Sequence, residues 1–214
     1  MTRISRFIVS AVLLALVAGS AVDMRARERW PFEKGSELRL SWGMLPLDRP
    51  TLYPDDIYGY PGYVDDRYIA GYLENTRYYL GAGRLTGAVN LTYSYRFRRW
   101  FELSGILTYS GYDRAGYDKM TGELAFRTGI HNVSLMPYAR FVWVYREWVR
   151  MYSGVGAGLG FSTTRDIRGT LDTDMCLAFS VTPVGIMVGR DFYGLAELSF
   201  GTTGLLSFGV GYRF

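Results

Sequence analysis

Apolar and polar residues alternate with period two along most of this chain, and the last ten residues show the pattern at its clearest. Leu206, Phe208, Val210, Tyr212 and Phe214 fall on one face of an extended segment, and Leu205, Ser207, Gly209, Gly211 and Arg213 on the other. The first face suits lipid and the second a narrow polar interior. The same alternation runs through eight segments: Ser36 to Met44, Thr86 to Phe97, Phe101 to Ser110, Asn132 to Tyr145, Val149 to Phe161, Met175 to Arg190, Phe192 to Gly201 and Leu205 to Phe214. Each reaches the roughly 9 to 11 residues that a membrane-crossing strand needs. An even number of such strands closes an all-β, antiparallel, up-and-down transmembrane β-barrel with both termini on the periplasmic side.

The connections alternate in length as that topology requires. Arg98 to Trp100, Arg146 to Trp148 and the junction at Asp191 are short, whereas Leu45 to Leu85, Gly111 to His131 and Ser162 to Asp174 are long. Thr202-Thr203-Gly204 fits a three-residue turn, with Gly supplying a left-handed last position. That turn sets Phe200 opposite Leu206, Leu198 opposite Phe208 and Phe192 opposite Phe214 outside, with Tyr193 against Arg213 and Ser199 against Ser207 inside. The second hairpin sets Phe97 against Phe101, Tyr95 against Leu103 and Leu91 against Leu107 outside, and Arg96 opposite Glu102 inside. An opposite charge at the paired position makes a charge in a narrow lumen tolerable.

Other residues expected to point inward are Glu37, Arg39, Asn90, Tyr138, Arg140, Tyr152 and Glu197, with Gly154, Gly156, Gly158 and Gly160 leaving room for long neighbours. Trp100, Phe101, Tyr145, Trp148, Phe192 and Phe214 gather at the short-turn end as an interfacial aromatic girdle. Pro137 and Pro183 fall inside strands of a barrel that has no edge. A bulge near Thr182 and Pro183 accounts for the second and for the change of outward parity there; Pro137 is expected at a non-paired position.

The N-terminal end adds a destination. Residues 1–21 have a basic start (Arg3, Arg6), an apolar run from Phe7 to Ala18 and small residues at Gly19, Ser20 and Ala21, which together make a cleavable signal peptide. The run is shorter than the roughly 20 residues of a membrane-crossing helix. Cleavage after Ala21 takes the formal charge from +4 to +2, because it removes two arginines and no acid. That balance gives no reason to expect nucleic acid as a partner. The expected organisation is a signal peptide at 1–21, a periplasmic segment at 22–35 and the barrel at 36–214, with a long external loop at 45–85.

The terminal Tyr212-Arg213-Phe214 resembles the ending of bacterial outer-membrane β-barrels, whose last strand is read by the barrel-assembly machinery. The resemblance implies an assembly signal at Tyr212 and Phe214. The blocks TGAVNLTYSYRFRRWFELSGILTYSGY, LMPYARFVWVYREWVRMYSGVGAGLGF and GLAELSFGTTGLLSFGVGYRF look like the small, eight-stranded outer-membrane β-barrel domain proteins of gut-type Gram-negative anaerobes. Members are mostly of unassigned function, so the resemblance implies fold and integral outer-membrane location, with lipid as surroundings, and no active-site residues.

Candidate chemistry is sparse. GVGAGLG, from Gly154 to Gly160, follows no βαβ pattern and is read as glycine lining rather than a nucleotide loop. Cys176 has no partner for an internal disulfide and is read as an inert buried thiol. His131 is the sole histidine, which excludes a multi-histidine metal site; it is read as a hydrogen-bonding group at a strand end. The first loop carries Tyr58, Tyr60, Tyr63, Tyr68 and Tyr72 with Asp55-Asp56 and Asp65-Asp66 between them, a composition suited to a glycan or protein ligand. Packing of these rings on the rim is the competing account, and calcium at the acid pairs a third. No cofactor and no enzymatic activity are expected. The functional expectation is a side-chain-filled barrel with a structural or surface-interaction role; passage of a small or apolar solute is the alternative, and a lipid-modifying enzyme using a Ser/His/acid set a more distant one.

Overall fold

The computed structural model describes residues 34–52, 78–166 and 169–214. The signal-peptide segment and Tyr58, Tyr60, Tyr63, Tyr68 and Tyr72 lie outside these residues.

The described chain is all-β. Its strands are β1 (Gly35–Met44), β2 (Tyr78–Leu80), β3 (Arg84–Arg98), β4 (Phe101–Asp118), β5 (Leu124–Tyr145), β6 (Val149–Arg165), β7 (Leu171–Gly189), β8 (Phe192–Gly201) and β9 (Leu206–Arg213), with one turn of helix, α1 (Arg49–Leu52), after β1. β1 pairs with β3 on one side and β9 on the other, and each later strand pairs with the next, so eight antiparallel strands close a ring. β2 adds a short flap to the far end of β4. Closure is sealed where the chain ends: Ser36 N–H donates to the Phe214 carbonyl at 2.9 Å and Phe214 N–H to the Ser36 carbonyl at 3.0 Å.

The period-two pattern becomes an inverted burial scheme. On β1, Glu37, Arg39 and Ser41 are buried while Leu38, Leu40 and Trp42 are exposed, and on β9 Ser207 is buried while Phe208, Val210 and Tyr212 are exposed. Every inward residue named above follows suit: Asn90, Tyr138, Arg140 and Tyr152 are buried, and the Glu197 side chain is 15% exposed. The glycines of β6 make the space that those side chains fill, since a Cβ at Gly154 or Gly156 would overlap the Tyr138 ring.

Several expectations need correction. β4 and β5 run on to Asp118 and back from Leu124, so most of the expected loop Gly111 to His131 is paired strand; β6 and β7 likewise extend through most of Ser162 to Asp174. At about 3.3 Å per residue these strands outrun a bilayer core. Polar, glycine and apolar side chains mix there without a strict period of two, so the alternation is lost, but backbone groups pair regardless.

The last hairpin is offset by two residues from expectation: Leu198 faces Leu206, Ala196 faces Phe208, Phe192 faces Tyr212, and Tyr193 faces Gly211 rather than Arg213. Gly201 stays paired with Ser180 of β7, and Thr202 to Leu205 folds in as part of a longer connection, with Gly204 at φ +103°. An even offset leaves both faces intact, which is why facing chemistry alone did not expose it. In the second hairpin Arg98, not Phe97, faces Phe101, because a bulge falls between Arg96 and Arg98. Cys176 is half-buried rather than buried, its Sγ 3.5 Å from Asn132 Oδ1.

The two prolines differ. A register shift between Val181 and Val184 places a bulge at Thr182 and Pro183, with Thr182 buried and parity restored beyond it. Pro137 pairs with Gly105 on β4, while the β5–β6 ladder skips Met136 and Pro137. Its missing donor therefore falls in a gap.

Candidate functional site

The short-turn half of the lumen is built around two carboxylates. Glu37 and Glu102 sit near the start of β1 and β4, and Arg96, Arg140, Arg150 and Arg213 stand at similar height on β3, β5, β6 and β9. Arg96 lies opposite Glu102, with Nε 2.7 Å from Oε1, and reaches Glu37 with its Nη2. Arg140 donates to Glu102 Oε2 at 2.5 Å. Glu37 Oε1 also accepts from Arg150 Nη1 and Arg213 Nε, each at 3.0 Å, and Oε2 from the Tyr193 hydroxyl at 2.9 Å. Both carboxylates are about 1% exposed. Such groups are sustained only by charge-assisted hydrogen bonds from several directions. Tyrosine rings line the guanidiniums: Arg213 lies 4.1 Å from the Tyr193 centroid, Arg150 4.4 Å from Tyr145 and Arg140 4.7 Å from Tyr152.

Parity places Tyr145 in the outer girdle. A bulge between Val142 and Val144 turns it toward the lumen mouth instead, where its hydroxyl accepts from Arg96 and Arg150 at 3.4 and 3.3 Å. The other girdle residues stay outside, with Trp100 stacked on Phe141 at 6.3 Å and Tyr212 on Phe214 at 6.2 Å.

Farther from the short turns the lumen changes character. Arg39 and Glu197 sit 3.7 Å apart at mid-height, Tyr152 donates to Glu197, and Arg39 donates to Ser94 Oγ at 2.9 Å. Beyond them most of the buried polar groups are amide and hydroxyl, with Asp48 as a carboxyl among them. Thr108 donates to Asn90 Oδ1 at 2.8 Å, Asn90 Nδ2 to the Thr203 carbonyl at 3.0 Å, and Ser180 and Thr203 hydroxyls meet at 2.6 Å. Thr202 and Thr203 fold into this mouth, as does the segment before α1, where Asp48 accepts from Ser110 and from Thr51 N–H at 3.2 Å. Burial raises the Asp48 carboxyl above its ordinary range, against hydrogen bonds from Ser110 and Thr51 that lower it.

Between the two halves lies a cavity of only about 10 Å³, bordered by Arg39, Asn90, Tyr138 and Glu197 among others. That is space for about one water. Larger spaces lie at the ends: a vestibule of about 430 Å³ at the short turns, and a cleft of about 540 Å³ beside Arg84, Arg114 and Arg127 at the long-loop end.

His131 lies at the outer rim, 40% exposed, with Nδ1 3.0 Å from the Tyr109 hydroxyl and Nε2 3.4 Å from Asp113. Its ring stacks on Tyr109, giving the imidazole a packing role on the barrel wall. Among the described residues no group of three or more His, Cys, Asp or Glu side chains could hold a metal ion.

No known protein family and no curated protein matches the sequence, so the likeness to a gut-anaerobe family stays an expectation. Among solved structures the chain is similar to Ail, the attachment invasion locus protein of Yersinia pestis, in complex with the heparin analogue sucrose octasulfate: 15% identity, 86% of this chain and 100% of that chain covered, TM-score 0.44. It is similar to a second crystal structure of Ail at 16% identity, covering 85% and 97% with a TM-score of 0.41. The backbone structure of Ail in a phospholipid bilayer nanodisc follows at 18% identity, 85% and 100% coverage and a TM-score of 0.39. None of these lends a residue role to this chain.

Reasoning from sequence placed Arg96 opposite Glu102 and both at the lumen, but it missed Glu37 as the hub and Tyr193, Arg150 and Arg213 as its partners. The available signal was height. Glu37 and Arg213 lie equally close to the short-turn ends of their strands, with inward parity at both.

Proposed function

We propose that this chain is an integral outer-membrane β-barrel, closed to solute flow, whose role is structural or surface-interacting through the segments at its long-loop end. The observation that carries this reading is the inverted burial: arginine, glutamate and hydroxyl side chains are inside, and leucine, valine, phenylalanine and tryptophan are outside in a continuous band. An exterior of that kind is an aggregation surface in water and a favourable one in lipid. The packed mid-lumen supports a closed barrel over the solute-passage reading. Paired strands extending past the membrane band at β4 and β5 provide surface for a glycan or protein ligand, and the tyrosine-rich composition of residues 53–77 suits the same role.

Tyr212 and Phe214 take the part of assembly signal in this reading, since they stack outward beside the seam that Ser36 and Phe214 close. Deleting Phe214 removes both seam hydrogen bonds and is expected to leave the chain periplasmic and protease-sensitive. Fractionation of cells, with heat-modifiable gel mobility as the readout of folding, tests this; insertion at the parental level would overturn the assignment. In planar bilayers the folded protein is expected to give at most rare, small conductance events, and steady porin-like conductance would promote solute passage.

A further inference from the structure

We propose that the short-turn mouth of the barrel is an anion site that takes a phosphate-bearing group, a function beyond the structural and surface role above. The vestibule is lined by Lys34, Arg96, Arg150, Arg190 and Arg213, with Glu147 and Asp191 as its acids. At the rim the charges balance, Lys34 and Arg190 against Glu147 and Asp191, and Arg190 pairs with Glu147. In the buried layer beneath they do not. Four guanidiniums, Arg96, Arg140, Arg150 and Arg213, meet two carboxylates, Glu37 and Glu102.

The same layer has donors to spare. Each guanidinium carries five N–H groups in a fixed fork. Three of them converge on the single oxygen Glu37 Oε1. Among the described residues Arg213 Nη2 meets the Met187 thioether at 3.6 Å, a weak acceptor, Arg96 Nη1 meets the Tyr145 hydroxyl at 3.4 Å, and the buried Arg150 Nε finds no acceptor. Positive charge in excess, held rigid by tyrosine rings and open to a cavity of about 430 Å³, is complementary to an oxyanion with several acceptor oxygens. Phosphate satisfies forked donors in pairs, as a chloride cannot. Phe214 borders the same vestibule and is 66% exposed, so the site sits at the height of the aromatic girdle. The phosphate of a net anionic lipid headgroup, with no choline cation to compete with the guanidiniums, and a free phosphate are both within its reach.

The test uses the full chain folded in nonionic detergent, titrated calorimetrically with inorganic phosphate, and the same chain in nanodiscs of phosphatidylcholine with or without phosphatidylglycerol, with retained lipid quantified by mass spectrometry. Folding is checked by heat-modifiable mobility. Arg150→Gln is expected to weaken phosphate binding roughly tenfold, and Lys34→Gln with Arg190→Gln roughly threefold. Arg84→Gln at the opposite mouth should leave it unchanged. The rim double variant decides the matter if Arg150→Gln fails to fold, because it spares the Glu37 cluster. Saturable phosphate binding that the variants weaken identifies a soluble phosphate as ligand; selective retention of phosphatidylglycerol, lost in the variants and without phosphate binding, identifies the headgroup. Neither phosphate binding nor preference for the anionic lipid, or binding indifferent to both variants, overturns the proposal.

Discussion

The two halves of the lumen solve the same problem with different chemistry. Both must fill a narrow polar interior wrapped in an apolar wall. The short-turn half does so with guanidiniums shared between Glu37 and Glu102, whereas the long-loop half uses neutral hydroxyls and amides around Asn90, Thr108, Ser180 and Thr203. The difference lies in what is left when one member goes. Removing a neutral partner leaves a group short of one hydrogen bond, at about 1 to 3 kcal/mol. Removing a carboxylate leaves several cations facing one another in a low dielectric, at about 3 to 5 kcal/mol. The charged half is therefore expected to hold the barrel rigidly, and the neutral half to tolerate rearrangement.

The strongest way to break this contrast is Glu37→Ala, which strands Arg96, Arg150 and Arg213 together. It is expected to cost about 3 to 5 kcal/mol in urea unfolding followed by gel mobility. Glu102→Ala should cost somewhat less, because Arg96 keeps Glu37 as a partner while Arg140 loses its carboxylate. Equal stability of the parent and either variant would show that the lumen charges are solvated after all. In the neutral half, Asn90→Ala removes an acceptor for Thr108 and a donor to Thr203 and is expected to cost about 1 to 3 kcal/mol. A loss as large as that of Glu37→Ala would erase the distinction between the halves.

Asp48 gives the long-loop half a pH dependence of its own. Its carboxyl is raised in the folded state, so the stability it contributes is full below the ordinary carboxyl range and is lost as pH rises through the raised value. Docking of α1 over Ser110 should thus be firmer in acid, and Asp48→Asn should abolish that pH dependence, as read by amide hydrogen exchange at Thr51 and Leu52. The smallest effect is expected from Tyr58, Tyr60 and Tyr63 replaced by Ser. If these tyrosines are a recognition surface, unfolding should shift by less than about 0.5 kcal/mol while binding of a glycan or protein ligand weakens. Unfolding of the barrel would make the loop a packed lid, and unchanged binding would remove these tyrosines from the recognition surface.

Period two and the pairing of neighbouring strands carry much of this barrel in its amino-acid order. Within an unbulged strand the face of a residue follows from parity alone, so the apolar exterior, the inward Glu37, Arg39 and Arg140, and the bulge at Thr182 and Pro183 were all legible, whereas Tyr145, beyond an unforeseen bulge, was not. Arg96 and Glu102 were legible as a pair because a short turn brings adjacent strands into register. Contacts between strands distant in sequence depend on the closed fold. Glu37 gathers Arg150, Tyr193 and Arg213 across separations of 113, 156 and 176 residues, contacts that exist only once the ring has closed. The offset of the last hairpin has the same origin. Thr203 is held by Asn90 and Ser180 on other strands, and those bonds outweigh the local preference for a three-residue turn. A local pattern specifies which way a side chain points; only closure of the barrel specifies what it meets there.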